Sequence, residues 1–149
     1  MSKTGSPRGV TTTHTMELNY QKKSLRSSAV LTGSYVAATV LGPQGVGSKA
    51  DPAENTKLVL LLDFTIGSLT SAEVKVEFSD DGTTYYQETN ASVSSGTTTL
   101  TNNVYTMTAT GKYVVSLDLT ARYVKVSAKG TGTVTSSLLT IDALLAVRP

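Results

Sequence analysis

Few residues in this chain are of a type that does chemistry, and their spacing decides what each can do. There is one histidine, His14, and no cysteine. A lone imidazole with no carboxylate or serine set beside it does not make a catalytic triad. Zinc asks for three or four nitrogen or sulfur ligands. His14 therefore reads as a solvated side chain. Three aspartates, Asp63, Asp118 and Asp142, fall in segments of strand character. Two of them brought together would form a carboxylate pair of the kind that hydrolyses glycosidic bonds. Nothing in their spacing forces that convergence, and each reads as a residue on a solvent-facing or interfacial strand face. Asp80 and Asp81 lie in Ser79-Asp80-Asp81-Gly82-Thr83. Adjacent carboxylates suit calcium, which wants about six or more oxygens, and a tight turn accounts for the same residues.

Two glycine-rich stretches need the same scrutiny. Gly42-Pro43-Gln44-Gly45-Val46-Gly47-Ser48-Lys49 comes close to a phosphate loop. That motif ends in Gly-Lys-Ser/Thr, whereas this one ends Gly47-Ser48-Lys49-Ala50, and no apolar helix follows to hold a phosphate at its N-terminus. A surface loop is expected. Gly130-Thr131-Gly132-Thr133 precedes no helical pattern, so it reads as a hairpin turn rather than a dinucleotide fingerprint. No catalytic residue, cofactor or metal is expected, and the chain reads as a non-enzyme.

Binding candidates come from charge and aromatics. The net charge is +2, too small to argue for a nucleic-acid partner. Its distribution is uneven: Lys3, Arg8, Lys22, Lys23 and Arg26 against Glu17 give residues 1–26 a charge of +5 − 1 = +4, leaving −2 for the rest. A basic leader on a mildly acidic body points to an arm that touches an acidic surface; a solvated terminus is the alternative. The chain has seven tyrosines and no tryptophan. Tyrosine is enriched at protein interfaces, and Tyr85-Tyr86 in a strand places one ring on each face. Tyr85 and Tyr123 are the candidate partner-binding rings, with core and rim packing as the other reading.

These residues must be positioned by strands. Hydrophobic residues make up 39% and charged residues 16%, and the wealth of Thr, Ser and Val favours a pleated surface. Residues 1–16 hold little apolar surface to offset ordering entropy, and a boundary at 26 gives an extended basic arm (1–26) and one folded domain (27–149). Residues 57–66 put Leu58, Leu60, Leu62, Phe64 and Ile66 on one face, with Val59 and Leu61 opposite, as in a central strand. In 72–79, Ala72, Val74, Val76 and Phe78 alternate with Glu73, Lys75 and Glu77, so one side is wet. Asp80-Asp81-Gly82-Thr83 then suits a type I′ hairpin turn. Residues 89–103 read as a long loop or weak edge strand. Further alternation at 112–119, 123–129 and 139–147 brings the count to eight or nine strands. The only place for a short helix is 18–31. The expected fold class is all-β, an antiparallel sandwich of jelly-roll or immunoglobulin-like type. No run approaches the roughly 18 apolar residues of a membrane helix. The N-terminal residues lack the apolar core of a secretory signal, so the expectation is synthesis and folding in a cytoplasm.

Two segments carry a family likeness: Val74-Lys75-Val76-Glu77-Phe78-Ser79-Asp80-Asp81-Gly82-Thr83-Thr84-Tyr85-Tyr86, and Ala121-Arg122-Tyr123-Val124-Lys125-Val126-Ser127-Ala128-Lys129-Gly130-Thr131-Gly132 with Leu139-Thr140-Ile141-Asp142-Ala143 after it. Over about residues 57–147 the chain resembles small jelly-roll-like β-sandwich structural proteins of tailed-bacteriophage virions, of the capsid decoration or cement type. Discoidin-like carbohydrate-binding sandwiches share parts of the pattern. The resemblance implies a virion protein made in the host cytoplasm, bound to the major capsid protein or other virion proteins. It also implies a trimer or dimer, and no nucleic-acid or membrane partner. Lys3, Arg8, Lys22, Lys23, Arg26, Tyr85 and Tyr123 would then be the partner-binding set. A neck or tail accessory protein, or a carbohydrate-binding module for host recognition, are the alternatives.

Overall fold

Period-two burial selects the elements. In the computed structural model, residues 19–42 and 55–147 are described. They form eleven strands: β1 (Asn19–Ala29), β2 (Val36–Ala37), β3 (Asn55–Thr65), β4 (Leu69–Ser79), β5 (Tyr86–Gln87), β6 (Thr89–Ser94), β7 (Thr97–Asn102), β8 (Tyr105–Met107), β9 (Gly111–Asp118), β10 (Tyr123–Gly132) and β11 (Leu138–Val147). One sheet runs β1-β11-β3-β9, the other β2-β10-β4-β5 with β8 also on β4, and β6 pairs only with β7. All pairings are antiparallel. The fold is an all-β antiparallel sandwich, as the alternation requires.

The core lies between the two sheets. Leu58, Leu60, Leu62 and Phe64 of β3 and Leu139, Ile141, Ala143 and Leu145 of β11 point inward from the first sheet. Ala72, Val74 and Val76 of β4 and Val124, Val126 and Ala128 of β10 meet them from the second. Apolar side chains at this burial contribute on the order of 1.5–3 kcal/mol each relative to exposure. Residues 30–42 lace one flank shut. Leu31 and Leu41 are buried, and the segment bonds to both sheets: Gly130 N–H to Thr32 O at 2.8 Å, Ala38 N–H to Val126 O at 2.8 Å and Thr39 N–H to Leu25 O at 2.9 Å. The opposite flank, between β9 and β5, has no such lacing among the described residues.

Three expectations need correction. The boundary at 26 falls inside β1, which pairs with β11 from Asn19↔Val147 to Ala29↔Leu139. Residues 19–26 thus belong to the body, and Asn19–Ala29, within the region considered for a helix, is a strand. Register shifts at Ser24/Arg26 and Arg26/Ala29 break the period-two pattern, so Leu25 is buried without a legible alternation around it. Second, Asp80-Asp81-Gly82-Thr83 is not a two-residue hairpin turn, since β4 resumes pairing only at Phe78↔Tyr86. Third, residues 89–103 hold a regular hairpin, with Ser94↔Thr97 closing a two-residue loop. Its central residues, Ser95 (φ 49°) and Gly96 (φ 77°), both have positive φ, as a type I′ turn requires. Residues 1–18, with Lys3, Arg8 and His14, and residues 43–54, with the near-phosphate loop beyond Gly42, lie outside the described residues.

Because β1 is an integral strand, Leu25→Ala should lower unfolding free energy by about 2–5 kcal/mol in a urea melt. Deleting residues 1–26 should cost at least as much, since it also strips the β11 edge of its partner. A truncated chain as stable as the full one would remove β1 from the folded unit.

Candidate interaction surfaces

The basic candidates on β1 are put to different uses. Lys22 stands on the outer face of the first sheet, 3.4 Å from Asp142. Lys23 lies opposite Ala143 in the register. Arg26 turns back on its own strand: Nη2 donates to Ala29 O at 3.2 Å and Val30 O at 2.9 Å, holding the bulged end of β1. Burial pushes the Arg26 guanidinium below its usual pKa.

The two candidate tyrosines are engaged within the body. Lys125 Nζ sits 4.1 Å from the centre of the Tyr85 ring. The Tyr123 ring lies between two glycines. A Cβ at Gly42 would come within 2.8 Å of it, and one at Gly82 within 3.0 Å, so no side chain fits at either position without displacing the ring. Around them the outer face of the second sheet is a ladder of opposed charges. Glu73 meets Lys129 at 3.1 Å, and Glu77 meets Lys75 at 3.4 Å and Lys125 at 3.3 Å. Tyr35 donates to Glu73 Oε2 at 2.7 Å, and Lys75 and Lys129 each stand 4.8 Å from its ring. Burial, with Glu73 alongside, pushes the Tyr35 phenol up to about 12. The Tyr35 and Lys129 hydrogen bonds hold the Glu73 carboxyl below its usual range.

The three strand aspartates form separate ion pairs on the first sheet: Asp142 with Lys22, Asp118 with Lys57 at 3.0 Å and Asp63 with Lys112 at 3.4 Å. Asp63 and Asp142 share one shallow hollow over Leu61 and Val114, each with its own lysine. Asp81 closes the loop after β4: its Oδ1 accepts from Thr84 N–H at 2.7 Å, Thr83 N–H at 2.8 Å and the Ser79 hydroxyl at 2.9 Å. These bonds hold its carboxyl at about 2. Among the described residues no three His, Cys, Asp or Glu side chains gather into a metal-holding group.

The most exposed features were not among the expected residues. The β6–β7 hairpin stands off the body as a ribbon whose residues are all exposed. Its register puts Thr89, Ala91, Val93, Thr98, Leu100 and Asn102 on one face and only Asn, Ser and Thr on the other. Val93 is 72% and Leu100 65% exposed. No residue from Thr89 to Asn102 is charged. A knot at its root sets its direction. Gln87 Nε2 donates to Asn103 O, Asn103 N–H to Glu88 O, Asn90 Nδ2 to Asn103 Oδ1, and the Tyr105 hydroxyl to Glu88. Next to the ribbon, Tyr86 is 70% exposed and lines a cleft of about 500 Å³ with Phe78, Glu88, Leu117 and Asp118, at the flank between β5 and β9. On the adjoining face of the first sheet, Val114 is 69% exposed.

No family model matches this chain, and no curated protein matches it. Among solved structures it is similar to the PBSX exported protein XepA, with a TM-score of 0.58 and 11% sequence identity over 87% of this chain. The chain spans 38% of that protein's length. At this identity the likeness shows a shared fold.

Two pH limbs follow from the hydrogen bonds. The Asp81 pKa is depressed in the folded chain, so its stabilisation is present above about pH 4 and is lost as pH falls toward about 2. Asp81→Asn should therefore flatten the acid limb of stability against pH, followed by circular dichroism; an unchanged limb would mean the loop bonds contribute nothing. Tyr35 is shifted the other way. Its stabilisation is present below about pH 10 and is lost as pH rises toward about 12. Tyr35→Phe should make the alkaline limb shallower over that interval.

Proposed function

We propose that this chain is a non-enzymatic structural protein of a phage virion and, within that class, a capsid decoration protein that binds and stabilises the head shell. The observation that carries this reading is the β6–β7 ribbon. An isolated two-stranded hairpin is marginally stable in water, and this one leaves Val93 and Leu100 exposed on one face. An uncharged ribbon with Ala91, Val93 and Leu100 gathered on one face, rooted by a hydrogen-bonded knot, is shaped to lie on another protein. Extended segments of this kind dock by main-chain and alternate side-chain contacts. A shell offers many equivalent docking positions, so a modest contact suffices when it is repeated. The fold shared with a phage PBSX exported protein supports the phage setting. Lys22 and Lys23 on β1, with Lys3 and Arg8 in the basic leader, would add attraction to an acidic neighbour.

The test is co-sedimentation of the purified chain with phage particles. Native protein should saturate heads at a copy number comparable with that of the shell subunit; a handful of copies per particle would point instead to a neck or tail ring. Val93→Ser with Leu100→Ser should keep the thermal midpoint within a degree or two, because surface changes cost about 0.5 kcal/mol or less. The same variant should weaken particle binding by at least about tenfold, from the apolar burial lost. Undiminished binding by the double variant would remove the ribbon from the contact.

A further inference from the structure

The two edges of the first sheet are unequal. The β1 edge carries Lys22, Lys23 and Arg26 and is broken by two register shifts, the usual devices that stop an edge from pairing. The β9 edge has no register shift, and its two charges, Lys112 and Asp118, are of opposite sign and sit near its two ends. It is eight residues long, Gly111-Lys112-Tyr113-Val114-Val115-Ser116-Leu117-Asp118, and contains no proline. It pairs with β3 without a register shift from Lys57↔Asp118 to Phe64↔Gly111. Its other edge pairs with no strand among the described residues. An unbulged edge of this length is a template for another strand.

The charges on β9 fit a second copy of the same strand. In an antiparallel pair with Val115 opposite Val115, Lys112 lies opposite the second copy's Asp118, Val114 opposite Ser116 and Tyr113 opposite Leu117. Within the chain, Lys112 already faces Asp63 and Asp118 already faces Lys57 across β3. In this register each row across the joined sheets therefore alternates in sign: Lys57, Asp118, then Lys112 and Asp63 of the other copy. The twofold axis makes each favourable pair occur twice. The flank also carries the aromatic and apolar groups typical of a contact. Val114 is 69% exposed on β9, and Tyr86, 70% exposed, lines the same cleft as Ser116, Leu117 and Asp118.

We infer that two copies of this chain pair antiparallel through β9, about a twofold axis at Val115, joining their four-stranded sheets into one continuous sheet. This dimer is independent of what the ribbon binds. It is tested on the purified 149-residue chain, which has no native cysteine. Sedimentation equilibrium should give a dimer. Directly opposed residues in an antiparallel pair have Cα atoms about 4.5–5.5 Å apart, within disulfide reach. Val114→Cys and Ser116→Cys proteins should each stay uncross-linked alone under mild oxidation and form a covalent dimer when mixed. Lys112→Glu should weaken the dimer on the order of tenfold from two exposed pairs made repulsive, and adding Asp118→Lys should restore it. A native monomer, no cross-link in the mixture, or a cross-link formed by Val114→Cys alone would each overturn the proposal.

Discussion

Everything in this molecule depends on one constraint: the inner faces of β3 and β11 must be covered by those of β4 and β10. Each of these strands presents an uninterrupted apolar row inward, from Leu58 to Phe64, Leu139 to Leu145, Ala72 to Val76 and Val124 to Ala128. A slip of one residue in any of them would turn its whole row to solvent. The register is therefore fixed, and with it the outer faces. Lys112 falls opposite Asp63, Lys57 opposite Asp118, and Lys125 opposite Glu77 because the inner rows allow no other alignment. The surface charges are ordered as a consequence of the core.

That constraint also explains what could be read from the residues. The 72–79 strand was legible because its charges and apolar residues alternate without a break, and the sandwich followed from several such segments. β1 was not, because two bulges take Leu25 out of phase with its neighbours, leaving a basic stretch that looks like a leader. The ribbon was hidden for the opposite reason. Apart from Val93 and Leu100 its residues are small or polar, and its turn is Ser95-Gly96 rather than the stronger Asp-Gly signal. That signal in turn marked a longer loop, closed by the Asp81 carboxylate accepting three bonds. The pairing of adjacent tyrosines was readable as one ring per face. Which ring faced outward was not, since it rests on Lys125 covering Tyr85, a contact made across strands far apart in sequence.

The electrostatics assign the outer faces different uses. On the second sheet, Glu73, Lys75, Glu77, Lys125 and Lys129 satisfy one another and enclose Tyr35. Prising such a network apart for a partner would leave partly desolvated charges unmatched, so this face suits structure better than recognition. The first sheet pairs its charges around the rim and leaves Leu61 and Val114 between them. The ribbon carries no charge to desolvate at all. Surfaces without charges are those from which water is removed at least cost.

The two contact elements differ in symmetry, and this sets what they can build. A β9 pairing is isologous and is saturated by two copies. The ribbon has no complementary ribbon required by that axis, so each subunit keeps one free. The proposed dimer would present two uncharged ribbons, one on each body, and a fixed spacing between the bodies would raise the effective concentration of the second ribbon once the first has docked. If the proposed pair met a repeating lattice, it would span neighbouring positions, and weak docking by each ribbon would become strong retention of both. The stiffness of such a joined sheet, set by the same registers that bury the core, would determine which lattice spacing the pair could match.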